Sequence, residues 1–236
     1  LETVAEFVGG YEVTGKGNGA RYLPRPVAII ESSSEKRYDV VVRFPKDAVD
    51  LGVETKIWDP MVDDFKKIVG GNRSTLLFTN SRQLSEEITY RINKGSEEPV
   101  AYAHHGSLSR EIRAEVESKL KAGDLKAIVA TSSLEMGIDI GSLDEVVLIQ
   151  SPHSVSSTIQ RVGRAGHRVG QVSQGTLFPT HSQDILEAAV LTVGILSQNI
   201  ESVKPVQRPL DVLAQVLVSM VGVETWDIDD LFDRIR

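Results

Sequence analysis

Cysteine is absent from this 236-residue chain, which excludes disulfides, thiolate zinc sites and cysteine nucleophiles. Long apolar runs are missing too, and no stretch approaches the roughly 20 residues that a membrane-spanning helix requires. The first ten residues, LETVAEFVGG, carry Glu2 and Glu6 where a targeting leader would carry basic charge and an apolar core. A cytoplasmic protein with no membrane partner is the expectation. The pattern G-x-x-x-x-G-K-[ST] occurs nowhere, so there is no P-loop to cradle β- and γ-phosphates. Positive charge is in deficit, with 26 Lys+Arg against 33 Asp+Glu and a net charge of −7. That balance argues against a surface coated in phosphate-binding groups. It leaves room for a focused anionic-ligand site, because local potential governs contact and total charge does not.

What is present is ordinary for a globular chain: 41% hydrophobic and 25% charged residues, and enough length to bury a core without covalent staples. Residues 1–10 read as the end of a helix, with Val4, Phe7 and Val8 on one face and Gly9-Gly10 as its stop. Thr14–Ala20 (TGKGNGA) has loop composition. Two β-rich runs, Val27–Glu31 and Tyr38–Phe44, flank the polar SSSEKR turn and are expected to form a hairpin.

From Ser74 onward, short apolar runs alternate with helical segments. Strands are expected at 75–79, 100–104, 127–131, 145–150 and 175–180, and helices near 82–94, 109–122, 154–162 and 183–197. Ser109–Ala122 is the clearest helix, since Ile112, Val116 and Leu120 recur every four residues and Gly123 supplies a C-terminal stop. Continuous apolar strands alternating with amphipathic helices predict an α/β fold, a parallel sheet covered on both faces. Lys204–Pro209 then reads as a linker, Leu210–Val221 as an apolar helix, and Asp227 as the N-cap of another helix with Asp230 at its third position. That last helix has little chain with which to bury its face, so the C-terminus has the look of a cut, as does the uncapped helix at residue 1.

Four segments carry chemistry. In QRVGRAGHR (160–168), Gly163 and Gly166 bracket Arg164 and permit a tight turn, and Arg161, Arg164 and Arg168 with His167 fall within eight residues that hold no acid. Arginine presents a permanently charged fork suited to phosphate oxygens. ATSSLEMGIDIG (130–141) begins where a buried strand ends, the usual place for a ligand in an open α/β sheet. There Thr131, Ser132 and Ser133 offer hydroxyls and amides, Gly137 permits close approach, and Asp139 can accept from ribose hydroxyls. LLFTNSR (76–82) runs a strand into an N-cap-like cluster, which serves equally as a plain helix cap or as an anion site. AHHGSLSRE (103–111) holds two adjacent histidines. Consecutive strand residues face opposite ways and no third ligand accompanies them, so no metal site is assigned. Asp144 and Glu145 precede their apolar strand, whereas magnesium-holding acids follow theirs. The chain carries half of an ATP site at most.

In this order and on these elements, the four segments resemble the second RecA-like domain of superfamily 2 helicases. LLFTNSR is similar to motif IV, ATSSLEMGIDIG to motif V and QRVGRAGHR to motif VI. AHHGSLSRE, the Gly-His near the end of motif VI and the trailing RPLDVLAQVLVSM resemble the large helicase-related (Lhr) family more closely. The resemblance implies a RecA-like sheet with a β-hairpin linker before it and the start of a helical winged-helix segment after it. Residues 1–20 would close the first RecA-like domain and its linker, and 21–71 would hold the hairpin and a connecting helix. Residues 72–203 would be the second RecA-like domain, and 204–236 a linker and the beginning of the winged helix.

The same resemblance implies an ATP-dependent helicase. ATP and Mg2+ would be held mainly by the first RecA-like domain, and this domain would supply arginine fingers. Arg164 would be the principal finger. Relatives carry a second arginine where this chain has His167, so either Arg168, one step later, or His167 itself would take that place. Gly137, Asp139, Gln160 and Arg161 would meet the nucleotide. Ser81, Arg82, Gly106, Thr131 and Ser132 would grip the backbone of single-stranded DNA, RNA or a DNA–RNA hybrid, which positions a strand without reading its sequence. Two other readings stand beside it. One is a nucleic-acid-binding module with no motor partner. The other is a dinucleotide or nucleotide-sugar enzyme, which calls for a glycine fingerprint and a ribose-binding acid about 20 residues later; neither pattern occurs.

Overall fold

Runs such as TLLFT and AIVA carry no charge, are apolar throughout their middle positions and are rich in β-favouring side chains, which suits a strand covered on both faces. In the computed structural model, which describes residues 1–15, 19–30, 36–45, 57–135, 141–166 and 171–235, these runs form the middle of a six-stranded sheet. Its strands are β3 (Arg37–Val42), β4 (Thr75–Thr79), β5 (Ala101–His104), β6 (Ala127–Ala130), β7 (Glu145–Ile149) and β8 (Val172–Phe178), in the spatial order β3-β8-β7-β4-β6-β5. Every pairing is parallel.

Alternation within the central strands splits the core into two layers. Leu76, Phe78, Ile128, Ala130, Val146 and Leu148 face one side. There they meet Val116 and Leu120 of α4 (Arg110–Ala122), Val162 of α5 (Val155–Val162) and Ala188 of α6 (Ser182–Leu196). Leu77, Ala127, Val129, Val147 and Ile149 face the other side, against α2 (Trp58–Gly71) and α3 (Arg82–Asn93). Met61 and Phe65 of α2 are fully buried there, and the Phe65 ring stands edge-on to Phe178 with centroids 4.9 Å apart. Burying each such side chain contributes about 1.5–3 kcal/mol. The expected parallel sheet with helices on both faces is what the chain forms.

Two expectations shift. Residues 27–30 lie outside any strand, and 38–44 do not pair back on them; residues 31–35 fall outside the described residues. The segment from Arg37 instead enters the sheet as β3, parallel to β8, with Arg37 opposite Val172. Its alternating pattern marks it as a strand but cannot name its neighbour. The open edge at β8 lets Tyr38, Val40 and Val42 pack on the core, which an isolated hairpin does not offer. A hairpin does precede the sheet, further upstream: β1 (Tyr11–Thr14) and β2 (Arg21–Pro24) run antiparallel across the segment read as a loop. The second half of the lead-in, β3 and α2, belongs to the sheet unit, which spans Ser33–Glu201.

The other compact unit comprises Leu1–Ser32 and Ser202–Arg236. It contains the hairpin, α1 (Glu2–Gly9), α7 (Leu210–Val223) and α8 (Ile228–Ile235). Gly10 ends α1 at φ +63°, a left-handed conformation that favours glycine. Asp227 caps α8 as its sequence suggests, its Oδ1 accepting from the amides of Asp229 at 2.9 Å and Asp230 at 3.4 Å. None of α1, α7 or α8 holds a buried residue. No helix among the described residues is long and apolar enough to cross a membrane.

Candidate nucleotide and nucleic-acid interface

A parallel sheet delivers all its strand ends to one edge, and the adjacent order β4-β6-β5 brings three of the sequence motifs together there. β4 stops at Thr79, whose hydroxyl donates to the Ser81 carbonyl at 3.0 Å. Ser81 caps α3 by accepting the Leu84 amide at 3.1 Å. Arg82, exposed in the first turn, donates through Nη1 to the Ser107 hydroxyl beyond β5. Gly106 is exposed, and an added Cβ there would meet nothing within 4 Å. Beyond β6, the Thr131 amide donates to the His104 carbonyl at 3.2 Å, which ties the two strand ends together. Ser132 opens a 3-10 turn, Ser132–Leu134, and is exposed, while Leu134 is 1% exposed and anchors the turn. Ser81, Arg82, Gly106, Thr131 and Ser132 thus line one edge of the sheet.

The paired histidines, His104 at the end of β5 and His105 just beyond it, turn to different neighbours. His104 shares Nδ1 with the Ser133 hydroxyl at 2.9 Å and Nε2 with Glu117 of α4 at 3.1 Å. His105 turns to α3 and meets Glu86 through Nε2 at 2.7 Å. Each has its own carboxylate. Among the described residues, no three His, Asp or Glu side chains converge as a metal would require.

Motif VI starts on α5, whose N-terminus is capped twice. Ser154 accepts the Ser157 amide at 3.0 Å, and the Glu201 carboxylate accepts the amides of Val155 at 2.5 Å and Ser156 at 3.0 Å. Those hydrogen bonds hold the Glu201 carboxyl below its ordinary range. The loop before the helix is pinned by buried Asp184, which accepts from the Ser151 and Thr180 amides, each at 2.8 Å. At the far end, Lys36 donates to the Gly163 carbonyl at 2.7 Å. Burial, followed by the neighbouring Arg164 charge, lowers the Lys36 pKa. Gly166 closes the turn at φ +68°, where a Cβ would stand 2.8 Å from the Val172 carbonyl. That conformation and that approach call for glycine.

Arg161 and Arg164 differ in their surroundings. Arg161, expected to meet nucleotide, is only 5% exposed. Its Nε donates to Glu135 Oε2 at 3.1 Å and its Nη1 to Asn80 Oδ1 at 3.2 Å, and its guanidinium lies 5.2 Å from the Phe78 ring centroid. Buried in this way, Arg161 braces motifs IV, V and VI against one another and offers little surface to a ligand. Arg164 is half-buried and donates through Nη2 to the Glu135 carbonyl at 2.8 Å. Gln160 is exposed on α5. Gly137, Asp139, His167 and Arg168 lie outside the described residues. Sequence reasoning missed Asn80 and Glu135, although both stand inside the quoted motifs. Their polarity beside buried apolar strands was the signal available.

Comparison with known proteins bears on the family and the fold. A family model described as "Helicase conserved C-terminal domain" matches residues 61–169. A second, "Large helicase-related protein, winged helix domain", matches 193–236. The chain belongs to the Lhr family of superfamily 2 helicases. An ATP-dependent helicase Lhr-Core protein 2 from Thermococcus barophilus is 37% identical over all of this chain and 27% of its own length. The Lhr helicase/probable uracil glycosylase of Mycolicibacterium smegmatis is also 37% identical, over all of this chain and 18% of its own. A solved structure of the Mycobacterium smegmatis helicase Lhr, bound to ssDNA and AMP-PNP, superposes with a TM-score of 0.82 at 41% identity, covering 90% of this chain and 28% of that one. The chain therefore spans about a quarter or less of the length of these relatives, and corresponds to the second RecA-like domain of an Lhr helicase with the start of its winged helix.

Proposed function

We propose that this chain is the C-terminal RecA-like motor domain of an ATP-dependent helicase that moves along single-stranded DNA, RNA or the strand of a hybrid. The observation that carries the reading is the shared edge. Exposed hydroxyl, amide and guanidinium groups of Ser81, Arg82, Gly106 and Ser132 gather at the carboxyl ends of three adjacent strands, with the Arg164 turn joined to the same edge through Glu135.

Backbone amides and hydroxyls suit phosphate oxygens and sugar, and they position a strand without reading its bases. Arg164 is only half-buried and its guanidinium is held through Nη2 by the Glu135 carbonyl, and as an arginine finger it would place positive charge against a phosphoryl group in transfer. ATP, when bound with Mg2+, supplies the scissile phosphoanhydride, held mainly by the first RecA-like domain of the same protein. The solved Lhr relative, bound to ssDNA and AMP-PNP, supports both partners. Cleft closure on nucleotide and reopening after hydrolysis would move the two domains' grips past each other along the strand.

The test is ATP hydrolysis by this chain alone and mixed with a separately made P-loop domain, with and without a single-stranded oligonucleotide. The chain alone should be inert. The mixture should turn over, and Arg164→Ala should lower its kcat by about a thousandfold. Full activity in the Arg164→Ala mixture would remove the finger assignment. No activity in a mixture whose two halves demonstrably associate would leave a binding module as the better account.

A further inference from the structure

We propose that Glu135 is a positioning residue that couples strand occupancy at the grip to the placement of Arg164. The inference rests on the functional reading above and deepens it. Glu135 is the residue that follows the Ser132–Leu134 turn, and its amide donates back to the Ser132 carbonyl at 3.0 Å. With a rise of about 2 Å per residue in such a turn, Glu135 stands about 6–8 Å along the turn from Thr131 and Ser132. A displacement of the grip therefore reaches it with little slack.

Glu135 then holds α5 and the turn that follows it at three points. Its Oε1 accepts from the Ser157 hydroxyl at 2.7 Å and its Oε2 from Arg161 Nε at 3.1 Å, both on α5. Its main-chain carbonyl accepts from Arg164 Nη2 at 2.8 Å. The side chains of Arg161 and Glu135 are 6% and 15% exposed, so the ion pair is strongly coupled and poorly screened. Arg161 also bonds Asn80 at the end of β4, and Asn80 Nδ2 donates to the Ser151 carbonyl at 2.9 Å in the loop ahead of α5. A strand settling on Thr131 and Ser132 would thus fix, through one residue, both the helix that leads into the Arg164 turn and a direct bond to the Arg164 guanidinium.

The intact helicase that contains this chain is the protein to assay. The measured quantities are kcat and KM for ATP with and without a single-stranded oligonucleotide, and the Kd for that oligonucleotide. Glu135→Ala should lower the ratio of stimulated to unstimulated kcat about tenfold, with Kd and KM each moving less than about threefold. Glu135→Gln keeps the length, accepts from Arg161 and donates to Ser157, so it should recover most of the ratio. A purely structural loss would move Kd and KM together and would not be rescued in this graded way.

Where Glu135→Ala fails to unfold cooperatively, Ser157→Ala removes one of the carboxylate's bonds to α5 and should lower the ratio about twofold to threefold. Unchanged ratios in the folded variants would overturn the proposal. Arg164→Ala run in parallel separates the two failures. If it is inert while the Glu135 and Ser157 variants keep their stimulation, the coupling falls and the finger stands. If it is fully active, the functional reading itself falls.

Discussion

His104 stands at the end of β5 with 1% of its surface exposed and partners on both ring nitrogens. Burial lowers its pKa from the ordinary 6.5, the Glu117 contact opposes that, and the nearby charges of Arg113 and His105 reinforce it. The folded chain therefore binds this proton less readily than the unfolded chain does. Stability contributed by neutral His104 is intact above the unfolded value of 6.5 and falls as pH drops below it, levelling off below the folded value. Urea unfolding at about pH 7.5 and about pH 5.5 should show a smaller loss of stability in His104→Gln than in the parent. Parallel losses in the two proteins would show that His104 does not carry the proton. Arg161 illustrates what sequence can and cannot say at this scale. Its place in motif VI was legible, but its task was not. Burial against Phe78, Asn80 and Glu135 depends on three strand ends meeting, and no local pattern around residue 161 encodes that.

Helix α5 depends on a carboxylate from well outside its own segment. Glu201 accepts two amides of its first turn, and the acceptance lowers the Glu201 pKa from 4.5. The sign is that of a stabilised carboxylate: the contribution is present above pH 4.5 and lost as pH falls through the lower folded value. Glu201→Gln should lower the thermal midpoint at neutral pH, and the gap to the parent should close only as pH falls below 4.5. A gap independent of pH would mean that the carboxylate's charge plays no part in the cap. Elements themselves were the most readable level of this chain. Thr75–Thr79 matches its expected bounds because every residue is buried and apolar neighbours flank it in the sheet. Gly123 ends α4 at φ +77°, as its position promised. Ile112, the first of the three apolar residues that marked this helix, is 49% exposed while Val116 and Leu120 are buried; the period gave the helix, and the sheet's extent decided how much of that face is covered. The hairpin failed for a related reason. Period-two alternation reports a half-covered strand, and β3 is one, but its partner β8 lies some 130 residues downstream in a parallel register.

At the scale of the molecule, the net charge of −7 and the proposed contact with a polyanion must be reconciled. They are compatible if few phosphates are gripped and neutral groups supply most of the contacts. Of the five residues at the sheet edge, Ser81, Arg82, Gly106, Thr131 and Ser132, only Arg82 is charged. Each neutralised phosphate of a single strand contributes about −0.7 to the slope of log affinity against log salt. This chain should bind a single-stranded oligonucleotide weakly, with a shallow slope of about −0.7 to −1, and Arg82→Ala should flatten that slope by about 0.7. A titration by fluorescence anisotropy across salt concentrations reads both quantities. An unchanged slope in Arg82→Ala would move the electrostatic contact elsewhere on the chain. Affinity independent of salt and selective for sequence would replace the backbone grip with base recognition, for which exposed hydroxyls and a glycine are poorly suited. A shallow slope that Arg82 controls would explain how an acidic domain holds a polyanion and still releases it, since the modest electrostatic attraction lets each phosphate be exchanged for the next.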